Sequence, residues 1–277
     1  MIYDCFTFFN ENDLLEIRLN TLDEVVDKFV IVEAAKSFRG YDKPKYFDEK
    51  RFEQFKDKII YVFVEDVPSF YDPWEYENWQ RNYIMDVLKP LNCKDDDVII
   101  ISDLDEIPKA ETIAKFERKY YEVYSLSMQY YSYYANVLNK KFTPWPKAKM
   151  MRYANLFEDR YIPPFYCVNL VEGLNKGPTP TGMRMRFHEK FLVGSGWHLS
   201  SLGGVDKVLT KLKNFAHYEI EQANVLDEEL VKKYFSEKLD VWGKPFDYEI
   251  IDINEQGKLP PYLVENKEKF AHFFLKE

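Results

Sequence analysis

Apolar runs and apolar stripes alternate along the first hundred residues. "CFTFF" (5–9) reads as a short strand. After it, Asp13 and Glu16 have capping-box spacing, opening a helix with Leu15, Leu19, Leu22 and Val26 on one face. "FVIVEA" (29–34) predicts a second strand, bounded by the polar, glycine-containing "AAKSFRGYDKPK". Phe52, Phe55 and Ile59 mark a short helix running into a third strand, "IIYVFVED" (59–66). Trp79, Tyr83 and Val87 form an i, i+4, i+8 stripe on a helix from about Trp74 to Leu88, and "VIIIS" (98–102) is the fourth strand. Strands that alternate with helices and are apolar on both faces predict a parallel sheet covered by helices.

Beyond Pro108, which suits the first turn of another helix, the pattern changes. "YEVYSLSMQYYSYYANVL" is aromatic and strand-rich, and "KMMRYANLF" and "MRMRFHEKFLV" read as further strands, antiparallel in part. Between the last two lies the loop "VEGLNKGPTPTG". From Val205 a helix carries Val208, Leu212 and Phe215, with more helix to Trp242. No repeat or linker divides the chain. The expectation is one α/β domain over 1–277, with a mixed, mainly parallel, Rossmann-like sheet flanked by helices. About 1–108 forms a nucleotide-binding half, and about 109–277 an acceptor-binding half with C-terminal helices.

The fourth strand ends in "SDLDEIP", which packs Asp103, Asp105 and Glu106 into four positions. In open parallel sheets ligands bind outside the carboxyl ends of strands. Asp103 and Asp105 are two apart, so on an extended chain their side chains share a face, and hard oxygen ligands suit Mn²⁺ or Mg²⁺. The plainer reading is a solvated turn with Glu106 as a helix-start charge. A second stretch, "GSGWHLSSLGG" (194–204), sets glycines around Trp197 and His198. Glycine there permits close backbone approach or unusual φ, and His198 is a third metal ligand, a phosphate donor or a structural histidine. Arg81, in "YENWQRNYI", points away from the apolar stripe, toward a diphosphate or toward solvent.

Composition narrows the classes. Hydrophobic residues make up 46% and aromatics 17%, which argues against disorder. The net charge of −9 with no long basic block disfavours nucleic acid, so a phosphate-bearing ligand needs a few placed cations or a metal. Cys5, Cys93 and Cys167 form no disulfide framework and no zinc motif, which suits a reducing, cytoplasmic setting. No stretch reaches transmembrane length.

"YDCFTFFNENDLLEIRLN", "FVIVEA", "NWQRNYI", "DVIIISDLDEIP", "GWHLS" and "LPPYLVENKEKFAHFF" together resemble glycosyltransferase family 17. The resemblance implies a GT-A fold, a UDP-sugar donor (N-acetylglucosamine foremost), a glycan or other sugar acceptor, a divalent metal and inversion at the anomeric carbon. It implies that Asp103 and Asp105 are the metal and diphosphate site, with His198 a site residue and Glu33 and Arg39 near the nucleotide. Animal members carry a membrane anchor and a cysteine after "GWH"; Leu199 stands there here, which implies a soluble bacterial or viral relative. An inverting displacement needs a base for the acceptor hydroxyl, and Glu189, then Asp206 and Glu219, are the candidates. Tyr130, Tyr131, Tyr133 and Trp145 are candidates for stacking on the acceptor. Two alternatives stay open. A nucleotidyltransferase making an NDP-sugar wants a glycine-rich loop after the first strand, which "FFNENDLLE" lacks. A non-catalytic carbohydrate-binding protein needs neither UDP nor metal.

Overall fold

The structure, a computed structural model, describes residues 1–117, 123–157, 179–185, 190–214, 228–237, 239–240, 244–245 and 247–276. Strands β1 (Ile2–Phe8), β2 (Lys28–Ala34), β3 (Ile59–Val64) and β4 (Val98–Asp103) lie parallel in the order β4-β1-β2-β3. Their side-chain parity explains why both faces are apolar. Phe6, Phe8, Phe29, Ile31 and Ile100 point into one cluster with Leu15, Leu19 and Leu22 of α1 (Asn12–Leu22). Tyr3, Cys5, Val30, Val32, Ile99 and Ile101 point the other way, under α2 (Pro73–Asn82) and α3 (Ile84–Leu88). A strand covered twice has no solvent face to mark with polar residues.

After β4 come β5 (Glu106–Pro108), α4 (Ala110–Ala114), β6 (Val123–Ser132), β7 (Val137–Asn139), β8 (Trp145–Arg152) and α5 (Pro180–Met185). They are followed by β9 (Phe191–Ser200), α6 (Val205–Asn214), α7 (Glu228–Ser236), β10 (Tyr248–Ile250) and α8 (Pro261–Glu265). Here the sheet departs from the mainly parallel expectation. β8 runs antiparallel to β4 and β6, β7 to β6 and β10, and β5 to β9; only β9 is parallel to its neighbour β6. Residues 133–136, between β6 and β7, are too few for the crossover of about a dozen residues that a parallel return requires. The ten-stranded sheet is mixed.

Three local expectations are corrected. The capping box forms at Asp72 and Glu75, whereas Asp13 and Glu16 are engaged by Arg51 and the head of α1 has no side-chain cap. The helix expected over 74–88 breaks at Tyr83 into α2 and α3. The segment "MRM" (183–185) is helical instead of extended, because Thr179 caps the turn that Pro180 starts, its Oγ accepting from Gly182 N at 3.0 Å. Val208 and Leu212 are buried on α6 as expected, while Phe215 and Trp242 lie outside the described residues.

The C-terminal segment crosses both halves. Trp197 Nε1 donates to Gly257 O at 3.1 Å, and Ala135 N to Phe273 O at 2.7 Å. Leu259, Leu263, Phe270 and Phe273 enter the α1 cluster. Buried Glu16 on α1 accepts from Tyr262 OH at 2.8 Å, from Arg51 Nη2 at 2.7 Å and from Lys269. These groups line a surface cavity of ≈ 580 Å³. Among the described residues no helix is long and apolar enough to cross a membrane.

Candidate functional site

The turn between β4 and β5 is gathered by Arg18 on α1. Its guanidinium pairs with Asp4 (Nε–Oδ2 2.8 Å, Nη2–Oδ1 2.6 Å) and donates to Ser102 Oγ. Its Nη1 donates to the carbonyls of Asp103, Leu104 and Glu106 at 2.9, 3.0 and 2.8 Å. Arg18 and Asp4 are both fully buried. Because three carbonyls converge on one cation, the chain turns after Asp103, and the carboxylates of Asp103 and Asp105 do not share an extended face. They turn to different partners.

Asp103, one-third exposed, accepts from Arg81 at 3.0 Å and from Arg184 of α5 at 2.7 Å. Burial opposes its ionisation, but the Arg184 and Arg81 guanidiniums outweigh burial and hold its carboxyl below the usual range. Arg81 is buried and also pairs with Glu77 at 2.6 Å. Glu106, expected either in the carboxylate set or as a solvated helix-start charge, is fully buried in β5. Its Oε1 accepts from Trp145 Nε1 at 2.6 Å and Arg184 Nη2 at 3.0 Å; its Oε2 accepts from Asp103 N at 2.9 Å and Arg184 Nη1.

Asp105 takes Lys211 of α6 on Oδ2 at 2.7 Å and has His198 Nε2 3.3 Å from Oδ1. Burial opposes ionisation here too, and Lys211 and His198 overcome it, leaving the carboxyl far below its ordinary range. His198 is placed by strand pairing, since it stands opposite Glu106 across β5–β9 and opposite Tyr130 across β6–β9. The glycines of this stretch act as expected. A Cβ on Gly196 would lie 2.4 Å from Ile107 O, and Gly203 and Gly204, at φ +104° and +79°, turn the chain into α6. Tyr130 and Trp145 close the wall, their ring centroids 4.4 and 4.9 Å from that of His198.

Five carboxylates (Asp4, Glu77, Asp103, Asp105, Glu106) thus face four permanent cations (Arg18, Arg81, Arg184, Lys211), a near balance. Some polar atoms stay unmatched. Arg81 Nε, Glu77 Oε2 and His198 Nδ1 are buried without a hydrogen-bond partner among the described residues. Such orphans are uncommon in folded proteins, and each calls for an explanation.

Other expected site residues fall elsewhere. Glu33 is buried at the end of β2, level with Phe8 beside Asp103's neighbour Thr7. It accepts from Lys43 at 2.6 Å, Tyr46 N at 2.8 Å, Phe47 N at 3.2 Å and Tyr61 OH at 2.8 Å, which ties the following loop to the sheet. Arg39 is half-buried in that loop, its N–H donating to Ser37 Oγ. Asp206 is exposed at the start of α6, and Glu189 and Glu219 lie outside the described residues. Of the four expected stacking residues, Tyr130 and Trp145 reach the site, whereas Tyr131 and Tyr133 are buried in core clusters. Sequence reasoning missed Arg18, Arg184 and Lys211. It also missed Glu11, just ahead of α1, whose carboxyl is pushed up by burial against the pull of Lys211. Only Arg18 left a signal, as a cation on a helix whose Leu14, Leu15, Ile17 and Leu19 are all buried.

An α/β protein with a cation-balanced acidic site at the ends of parallel strands is the class that this geometry defines. The model of glycosyltransferase family 17 matches residues 1–161, more than half of the 277, and the chain belongs to that family. It is also similar to the beta-1,4-mannosyl-glycoprotein 4-beta-N-acetylglucosaminyltransferases of Homo sapiens and Rattus norvegicus, 34% identical over 112 residues. The corresponding Mus musculus protein is 33% identical over the same length. These stretches cover 38% of this chain and 21% of each relative, so the chain matches about a fifth of the relatives' length. The family match takes in Arg18, Arg81, Asp103, Asp105, Glu106 and Trp145, and it ends before Arg184, His198 and Lys211.

Proposed function

We propose that this chain is a divalent-metal-dependent glycosyltransferase with a GT-A-type sheet. It moves a sugar, N-acetylglucosamine foremost, from a UDP-sugar to a glycan acceptor with inversion. The observation that carries the reading is the pairing of Asp105 Oδ1 with His198 Nε2 at 3.3 Å, at the carboxyl end of β4. Cis ligands of an octahedral ion bound at about 2.1 Å stand roughly 3 Å apart, so these two atoms fit one edge of Mg²⁺ or Mn²⁺ coordination. Among the described residues no three side chains of His, Cys, Asp or Glu gather to hold a metal alone. A set of one or two protein ligands, completed by water and substrate phosphates, is the usual arrangement for a diphosphate-bound ion.

Asp105 and His198 would hold the ion, with Asp103 beside them. When bound, it offsets the charge that develops on the departing diphosphate. The chain's own groups do the rest. Arg18 fixes the turn, and Arg81 and Arg184 orient Asp103 and add positive potential at the strand ends. The Tyr130–Trp145 wall offers aromatic surface to a sugar ring. The base that takes the acceptor proton is proposed at Glu189, with Asp206 and Glu219 as alternatives.

Thermal unfolding with UDP and Mn²⁺, with UDP and EDTA, and with each alone tests the reading. Saturation at about one hundred times Kd adds roughly 2.7 kcal/mol of stability, and the shift is expected to require Mn²⁺ and to vanish in Asp105→Asn. Stabilisation by a glycan alone, with none from nucleotide and metal, would instead mark a non-catalytic carbohydrate-binding protein.

A further inference from the structure

The cations at the strand ends differ in side-chain type and in exposure. Arg184 lies across two carboxylates, with Nη2 2.7 Å from Asp103 and 3.0 Å from Glu106. Arg81 spans Glu77 at 2.6 Å and Asp103 at 3.0 Å, and both guanidiniums are only 7% exposed. A planar fork locked between two acceptors cannot be re-aimed without breaking both contacts. Lys211 differs. It reaches Asp105 Oδ2 at 2.7 Å from α6, and its side chain is 26% exposed. An ammonium on a four-carbon stem redirects its donors by bond rotation alone.

Asp105 therefore serves two demands. Lys211 neutralises it now, while its other oxygen lies 3.3 Å from His198 Nε2, the pair assigned above to one edge of a divalent ion's coordination. An ion arriving there repels the ammonium, and the diphosphate that follows brings negative charge into reach of the same Nζ. Glu11 and Tyr130 also act electrostatically on that ammonium.

We propose that Lys211 is an exchangeable counter-ion, which neutralises Asp105 before the donor arrives and transfers to the diphosphate oxygens once a divalent ion engages Asp105. Metal competes with Lys211 and nucleotide recruits it, so metal and nucleotide bind cooperatively. The proposal rests on the strand ends being a UDP-sugar site. It deepens that reading by assigning the source of coupling between its two ligands.

Calorimetric titration of Mn²⁺ without nucleotide, and of UDP at saturating Mn²⁺, on wild type, Lys211→Met and Lys211→Arg tests it. In Lys211→Met the Mn²⁺ affinity is expected to rise several-fold, because a competitor is gone, while the UDP affinity falls about tenfold, the scale of one charged hydrogen bond. Lys211→Arg is expected to keep the UDP affinity within a few-fold. Added Mn²⁺ should raise the melting temperature of Lys211→Met more than that of wild type, a readout that survives partial destabilisation of the variant. If the two affinities fall together, or neither moves, Lys211 is a fixed structural partner and the exchange is wrong. If wild type binds neither Mn²⁺ nor UDP, the donor-site reading fails first and takes the exchange with it.

Discussion

Two acidic clusters sit on opposite sides of α1, and they are built to different ends. At the strand ends, Asp103, Asp105 and Glu106 meet Arg81, Arg184 and Lys211, and buried atoms are left over on Arg81, Glu77 and His198. On the outer face, Asp13 and Glu16 meet Arg51, Tyr262 and Lys269, and neither carboxylate has a buried oxygen without a partner. Both clusters set cations against their carboxylates. Only the first leaves donors and acceptors facing inward without a match. Neutralisation alone does not separate the two clusters; incomplete hydrogen bonding in a buried setting does.

Loss of Arg18 is expected to destabilise the protein most. Arg18→Met leaves Asp4 buried and uncompensated and frees three carbonyls of the β4–β5 turn. Removing one partner of a buried pair typically costs about 3–5 kcal/mol, readable by urea denaturation. A loss below about 1 kcal/mol would show that the turn stands without its arginine.

Lys149 lies within electrostatic reach of Arg184 and Glu106. It is buried on β8, donates to Ser125 Oγ at 2.8 Å and to Pro146 O at 2.6 Å, and burial, with Arg184 nearby, pulls its ammonium down to about 7. The fold therefore favours the neutral amine. Its contribution to stability is full above the ordinary lysine value and fades as pH falls toward about 7. Lys149→Met is expected to stabilise the protein by about 2 kcal/mol near pH 6, after the two lost hydrogen bonds, with the gain disappearing by about pH 10. The wild-type and variant melting temperatures compared across that range check it; a pH-independent difference would refute it.

The smallest effect belongs to the clamp. Glu16→Gln is expected to cost about 1–2 kcal/mol at pH 7 and to leave Mn²⁺ and UDP binding unchanged. Burial opposes ionisation of Glu16, but Lys269, Arg51 and Tyr262 together lower its carboxyl value. Its contribution is therefore present above the ordinary glutamate value of about 4.3 and lost in acid, a dependence opposite in range to that of Lys149. A change in nucleotide affinity in this variant would mean that the two clusters are coupled through α1.

The four parallel strands and the carboxylates at the end of β4 were legible in the residue pattern, since local periodicity carries both. The partners of those carboxylates were not. Arg184 meets Asp103 across 81 residues of chain and Lys211 meets Asp105 across 106, and neither position stands out within its own helix. Charge logic correctly required a partner for "SDLDEIP", but it could not choose between a metal and distant basic side chains. The run "YYSYY" shows the same limit in parity. Tyr130 faces the site and Tyr131 the core, and a strand of identical residues carries no mark of which is which. The capping motif failed for a related reason: the Asp-x-x-Glu spacing occurs at both Asp13 and Asp72, and a contact from Arg51 decides against the first.

The bond from Tyr262 to Glu16 joins residues separated by 246 positions. During synthesis at about 5–20 residues per second, α1 emerges roughly 10–50 s before the segment that covers its outer face. Through that interval the apolar flank meant for Leu263, Phe270 and Phe273 is uncovered, although the parallel strands beneath it are already available to pair. Until residues 259–273 arrive, that flank of α1 is open to chaperones, proteases and self-association.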